Sequence, residues 1–220
     1  MIDGGSGVWS ATAPNWTNTG GTTNGPMQPV PAFAEFRGAP GTVTIDDSQG
    51  VPAISSMLFS VNGYRLTGGQ LRLQGGPFTS VRTGDGVSAR IDNELTGDSG
   101  LLYNALGTLT LTGTNSYTGG TRVDGGTLIG DTRSIRGSLE NGGTVVFDQA
   151  FDDTYQGHVG GVFSFWGLMI KRGAGDLTLG AGSQLDWWVE QGGLIARAQG
   201  FGGNIDVSSG ARVTLSSGEV

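Results

Sequence analysis

The chain has 220 residues, of which 43 are glycine and only 14% are charged, against about 7% glycine and about 25% charge in ordinary globular chains. A net charge of −7 repels a phosphate backbone and argues against nucleic acid as a partner. The lack of cysteine excludes disulfides, thiol chemistry and cysteine-based metal sites.

Glycine at this level without a three-residue period is not collagen, and apolar residues at 36%, set in short alternating strings, are too many for a disordered chain. No segment carries helical apolar spacing over three turns, and no window approaches the ~18 apolar residues of a membrane-spanning helix. An all-β protein of many short strands and glycine-dependent turns remains. The start, IDGGSGVWS, has neither a basic opening nor an apolar run, so it is not a signal peptide; a cytosolic chain or an interior piece of a longer secreted one fits.

Taken in order, residues 8–31 gather prolines and two of the five tryptophans around a polar stretch, TNTGGTTNG. Residues 1–32 therefore read as an irregular leading segment or cap, and 33–220 as the repetitive body. Short strands follow at GTVTID (41–46), around SMLFSVNGYRLTGGQLRLQGG (56–76), at GGTVVFD (142–148), GNIDVSSG (203–210) and ARVTLS (211–216). Between them lies an internal repeat: GLLYNALGTLTLTG (100–113) matches GLMIKRGAGDLTLG (167–180), and VDGGTLIG (123–130) matches VEQGGLIA (189–196). The repeat units thus lie near 100–130 and 167–196.

Strands of this length, self-similarity, and few hairpin dipeptides (Asn62-Gly63 and Asn141-Gly142) favour a parallel β-helix over a sandwich. Coils of about 20–25 residues, about ten in all, are expected to stack, with inward aliphatics, outward threonines and glycine corners. In the first repeat Leu109, Leu111, Val123 and Leu128 should face the core, and Gly119, Gly120, Gly125 and Gly126 should turn corners. Thr108, Thr110 and Thr112 should face water, and Tyr117 should pack against a turn. Leu177, Leu179 and Gly193 take repeat positions in the second unit.

Residues 107–130, GTLTLTGTNSYTGGTRVDGGTLIG, and KRGAGDLTLG (171–180) resemble the autotransporter-associated β-strand repeat of type V secreted passenger proteins. Its pattern is roughly K-x-G-x-G-x-L-x-L-x-G-x-N-x-Y-x-G-G-T-x-V-x-x-G-x-L. Two departures stand out: YNALG (103–107) replaces K-x-G-x-G in the first unit, and SQLDWWVEQGG (183–193) replaces the N-x-Y turn in the second. The resemblance implies a right-handed parallel β-helix, exported through a C-terminal outer-membrane β-barrel that would be its partner, with 167–196 autochaperone-like. The chain itself lacks the succession of alternating ten-residue strands of a barrel.

Chemistry is sparse. His158, in YQGHVGG, is the only histidine, so two-histidine metal motifs are excluded; no G-x-S-x-G elbow accompanies it, and a solvated turn is the simpler reading. Asp46-Asp47, Asp152-Asp153 and the pair Asp92 and Glu94 are the carboxylate candidates, since acids two apart on a strand share a face; turn capping is the plainer role. No catalytic residue, metal site or cofactor is expected. Phe163 and Phe165 share a strand parity and fit a core stack. Trp187 and Trp188 must point opposite ways, so one of them could meet a sugar ring or a partner chain. The functional expectation is a non-catalytic stalk or adhesive surface that assists passenger folding and secretion, meeting a host cell, matrix or a second copy. The competing expectation is a carbohydrate-active β-helix, a lyase or hydrolase, with an acidic groove.

Overall fold

The computed structural model describes residues 4–18, 20–27, 30–162 and 167–217; Phe163 and Phe165 lie outside them. Among the described residues there is no helix, and every strand pairing but one is parallel. The exception joins Trp16–Thr17 to Asn24–Gly25. The chain winds as a β-solenoid of about nine turns.

Three faces recur in each coil. The first carries Ala32–Phe36, Ala53–Phe59, Phe78–Thr83, Leu139–Asn141 and Val159–Gly161. The second carries Gly7–Trp9, Thr42–Ile45, Arg65–Gly68, Ser88–Ile91, Thr144–Asp148, Leu168–Arg172, Asp186–Val189 and Ile205–Val207. The long strands Gly100–Leu111 and Thr121–Gly130 bend across the corner and serve both faces, with register breaks after Tyr103 and Asn104. The third face holds Leu71–Leu73 and Leu95–Thr96 early, then Asp153–Tyr155, Asp176–Leu179, Gly193–Arg197 and Arg212–Ser216. Stacked partners lie 17 residues apart at the shortest (Leu128 to Val145) and 25 at the longest after the first coil (Leu66 to Ile91).

The core follows from alternation. Side chains on a strand point alternately inward and outward, and parallel register stacks equal positions of successive coils. On the second face this makes one inward column of Ala89, Leu109, Leu128, Val145, Met169, Trp187 and Ile205. Leu109, Leu128, Val145 and Met169 in it are fully buried. Leu111, Val123, Leu177 and Leu179 are equally enclosed. Thr108 and Thr110 are half-buried and Thr112 exposed on the opposite parity.

Parallel stacking begins earlier than the composition shift near residue 33 implies. Gly7–Trp9 already pairs with Thr42–Ile45, placing Trp9 beneath Ile45. The intervening loop folds back over this first rung: Trp16 meets Trp9 edge-on at 4.8 Å and Phe36 at 5.7 Å between ring centroids. Tyr64 donates its hydroxyl proton to Arg37 O (2.6 Å) and accepts from Gly5 N (3.1 Å), tying the leading strand to the core. Proline and tryptophan clustering marked the cap, but the three-residue strand before it is too short to give a periodic signal. On the last described rung Val207 is 48% and Leu215 46% exposed.

This packing predicts a sharp contrast between parities. Leu128→Ala should cost about 2–5 kcal/mol, read as a lowered urea midpoint, whereas Thr110→Ala on the same face should stay within about 0.5 kcal/mol of wild type.

Candidate functional site

The sequence repeat occupies two different corners. Leu109 lies on the second face, but three coils above it the stack reaches Met169, and Leu177 stands on the third face. What recurs is therefore a corner spanning two successive coils, not a coil. In the first unit Tyr103 fills the corner and Gly126 of the next coil sits over it; in the second Lys171 and Gly192 hold the same places. Both glycines have left-handed backbones, φ of 70° and 71°, which side chains other than glycine rarely adopt. A Cβ on Gly126 would stand 2.8 Å from Gly107 O and 3.1 Å from the Tyr103 ring; on Gly192 it would stand 2.5 Å from Gly173 O and 2.9 Å from Lys171 Nζ. The departure YNALG is thus a change of corner filler. Tyr103 pairs its hydroxyl with Thr83 Oγ1 at 2.7 Å, and burial pushes its pKa up to about 12.

The centre of the first unit staples three coils. The third face has no strand between Leu95–Thr96 and Asp153–Tyr155, and Asn115 bridges that gap. Its Oδ1 accepts from Leu95 N (2.8 Å) and its Nδ2 donates to Ser134 O (2.7 Å), in the coils below and above. An asparagine amide can stand in for a peptide group because it carries both donor and acceptor. Tyr117 lies buried beside it: Thr121 Oγ1 donates to Arg136 O (2.8 Å), the tyrosine hydroxyl pairs with Thr121 Oγ1 (2.8 Å), and Arg136 N donates to the tyrosine oxygen (3.2 Å). Burial raises the Tyr117 pKa to about 12, as fits a neutral phenol. Gly119 approaches the coil below so closely that a Cβ would meet Gly100 N at 2.2 Å, and Gly120 turns with φ 82°. Gly125 lies within the bent strand, and Gly193 opens the strand Gly193–Arg197.

The six candidate carboxylates are engaged with the backbone or with neighbouring coils. Asp46 accepts from Ser48 N (3.0 Å), Asp47 from Gln70 N (2.9 Å) and Asp152 from Asp176 N (2.8 Å). Asp153 accepts from Thr132 Oγ1 (2.6 Å) and Thr154 N (2.8 Å). Asp92 gathers Arg65, Arg90 and Thr112 from three coils, and Glu94 likewise joins Gln70 and Ser116. Burial alone would raise the Asp92 pKa, but its hydrogen bonds from Thr112, Arg65 and Arg90 outweigh this and hold the carboxyl below its usual range. His158 is exposed, and its carbonyl accepts from Leu139 N in the first-face ladder (2.7 Å).

The tryptophan pair separates cleanly. Trp187 is 1% exposed, donates Nε1–H to Ser183 Oγ (3.0 Å) and stacks near Phe147, so surface recognition by Trp187 is ruled out by its inward parity. Trp188 is 42% exposed and bonded through Nε1 to Ser208 Oγ. It belongs to an outward-parity column of Arg90, Thr110, Ile129, Val146, Ile170, Trp188 and Asp206, which is apolar from Ile129 to Trp188 and polar at both ends. Alternation within one strand does not reveal this column, because Ile129, Val146 and Ile170 look like core residues until register gives them outward parity; Ile129 and Ile170 are half-buried there and Val146 is buried. A separate cleft of about 610 Å³ lies at the leading end, lined by Val8, Asn15, Trp16, Phe33, Glu35 and Arg37 among others.

Parallel coils, stapled by buried Asn115 and Tyr117, define the protein as a β-solenoid. The passenger-associated-transport-repeat family model matches residues 106–129, the stretch that contains the staple and the Gly126 corner. The chain is also similar to the adhesin BmaC autotransporter of Brucella suis biovar 1 (strain 1330), at 40% identity over 212 residues. That match covers 81% of this chain and 6% of the relative, so the chain spans a small part of the relative's length. No solved structure matches it. The chain thus carries one match to the passenger-associated-transport-repeat within a parallel β-solenoid.

Two outcomes are expected. Asn115→Leu leaves Leu95 N–H without its partner, at about 1–3 kcal/mol, and Ser134 C=O with only the 3.5 Å bond from the Tyr117 hydroxyl; Tyr117→Phe should cost less, and denaturant unfolding of both variants orders them. For Asp92 the folded pKa lies below the unfolded value, so its stabilisation is full above the ordinary carboxylate range near pH 4 and is lost as pH falls through the folded value. Stability measured from pH 6 downward should therefore fall more steeply in wild type than in Asp92→Asn, and equal slopes would show that Asp92 titrates normally.

Proposed function

We propose that this chain is a non-catalytic segment of a surface-displayed or secreted bacterial autotransporter passenger. It acts as stalk and adhesive surface, and its stapled coils help the passenger fold as it is secreted. The observation carrying this reading is the uninterrupted inward column from Ala89 to Ile205 combined with the match to an autotransporter adhesin. A solenoid coil gains stability mainly from its neighbours, so a coil already stacked offers a template edge to the next one. In the full-length polypeptide a C-terminal outer-membrane barrel supplies the export route.

The carboxylates that a polysaccharide lyase or hydrolase would need are spent in turns and inter-coil ladders, which favours adhesion over turnover. Contact with a host cell, matrix or second copy falls to the outer faces. Trp188 is the residue best suited to it, since a half-exposed indole offers apolar area with a polar handle.

Saturable binding of the purified chain to host cells or matrix tests this reading. Trp188→Ala should lower the affinity about 10-fold or more, the effect of an aromatic hot spot, with unchanged thermal unfolding. Asp92→Asn and Asp152→Asn should leave binding intact. Polysaccharide depolymerisation that disappears in either aspartate variant would replace adhesion with the enzymatic reading.

A further inference from the structure

Lys171 is the only lysine in the chain; the other eleven basic residues are arginines. It is fully buried, in an inward column between Phe147 and Val189, both also fully buried. Nothing in the stalk or adhesive role calls for a cation in that place. An ammonium there must be neutralised or fully hydrogen-bonded, and this one is bonded at all three protons. Nζ donates to Arg172 O (2.9 Å) and Gly173 O (2.8 Å) in its own coil, and to Gln191 O (2.9 Å) in the next. Asp176, Asp148 and Asp152 lie near enough to favour the charge and Arg212 to oppose it, while burial lowers the lysine pKa.

The direction of these bonds matters. Tyr103, at the same place in the first repeat unit, ties its hydroxyl to Thr83 in the preceding coil. Lys171 instead reaches forward. Its third acceptor exists only when the coil carrying Gln191 is seated, and Gly192, beside that acceptor, is the glycine that covers the lysine. If that coil lifts away, an ammonium and a carbonyl lose their partners together. The rung above it, Ile205–Val207 and Arg212–Ser216, supplies none of the three Lys171 acceptors.

We propose that Lys171 is a latch that fastens residues 183–197 onto the coil beneath, so that this coil opens less readily than the unlatched rung above it. Solenoids otherwise exchange stability rung by rung with their neighbours. With the latch, protection rises in a step between 205–216 and 186–197.

Native-state hydrogen exchange on the full chain tests the step. In wild type the amides of 205–216 should exchange fastest, with a clear rise in protection at 186–197. In Lys171→Met, protection of 186–197 should fall about 10-fold or more, the effect of leaving buried polar groups unpaired, while 89–128 stays unchanged. Retained protection at 186–197, or an equal loss in every coil, overturns the latch. Because Lys171 supplies the only side-chain amine, a second readout holds even if the methionine variant does not fold. Amine labelling located by peptide mapping should find Lys171 protected in wild type, labelled at the rate at which 186–197 opens, and labelled faster in Gly192→Ala. Labelling at the rate of a free amine, or a rate that follows opening of 89–128 instead, rejects the proposal.

Discussion

Parallel register between neighbouring coils is the constraint on which everything else in this molecule rests. Each coil of 17 to 25 residues is too short to enclose an apolar core by itself, and each finds its core in the residue directly above or below. The column from Ala89 through Leu109, Leu128, Val145 and Met169 to Trp187 is one continuous interior made from single residues of separate coils. A shift of one residue in any coil would turn its inward set to solvent. The register must therefore be pinned by something other than the aliphatic residues, which are interchangeable in their preference for burial.

The pins are polar and buried. Asn115 continues the hydrogen-bond ladder where the third face has no strand, reading the coil below through Leu95 N and the coil above through Ser134 O. Tyr117 and Thr121 fix the next corner through Arg136. Asp92 and Glu94 do the same outside, each gathering partners from neighbouring coils. An apolar residue at position 115 would fill the space but leave Leu95 N–H unpaired and Ser134 C=O with only the long bond from Tyr117, and a slipped coil would break the same contacts. These residues specify alignment more than they add cohesion, which accounts for polar side chains in a region that alternation alone would make aliphatic.

Much of the architecture was legible in the chain. Glycine content, short alternating strings and the match between 100–113 and 167–180 lead to a parallel solenoid, and strand alternation alone requires Trp187 and Trp188 to point opposite ways without saying which of them is buried. Three features were not legible, for separate reasons. The first rung, Gly7–Trp9, is a single short alternation followed by a long excursion, so composition assigns it to the cap. The outward apolar column through Ile129, Val146 and Ile170 depends on which residue stacks on which, and variable coil lengths hide that register. The repeat offset resembles a whole number of coils, yet it moves the motif from one corner to the next, because the motif encodes a bend and its filler and says nothing about which faces the bend joins.

That last distinction bears on function. A corner motif that works between the first and second faces in one unit and between the second and third in the other is independent of the rest of its coil. The outer faces are then free to differ along the axis, and they do: the outward column is Arg90 and Thr110 at one stage and Ile170 and Trp188 at another, over an interior that stays buried at both. A surface-displayed chain gains from this separation, since its exposed chemistry can be rewritten without disturbing register, provided the corner fillers and the glycines above them remain. The same logic explains why Lys171 and Tyr103 can occupy equivalent places. Either side chain is long enough to reach the corner carbonyl cluster or a hydroxyl beside it, and the choice between them decides only whether the corner is fastened to the coil before or the coil after.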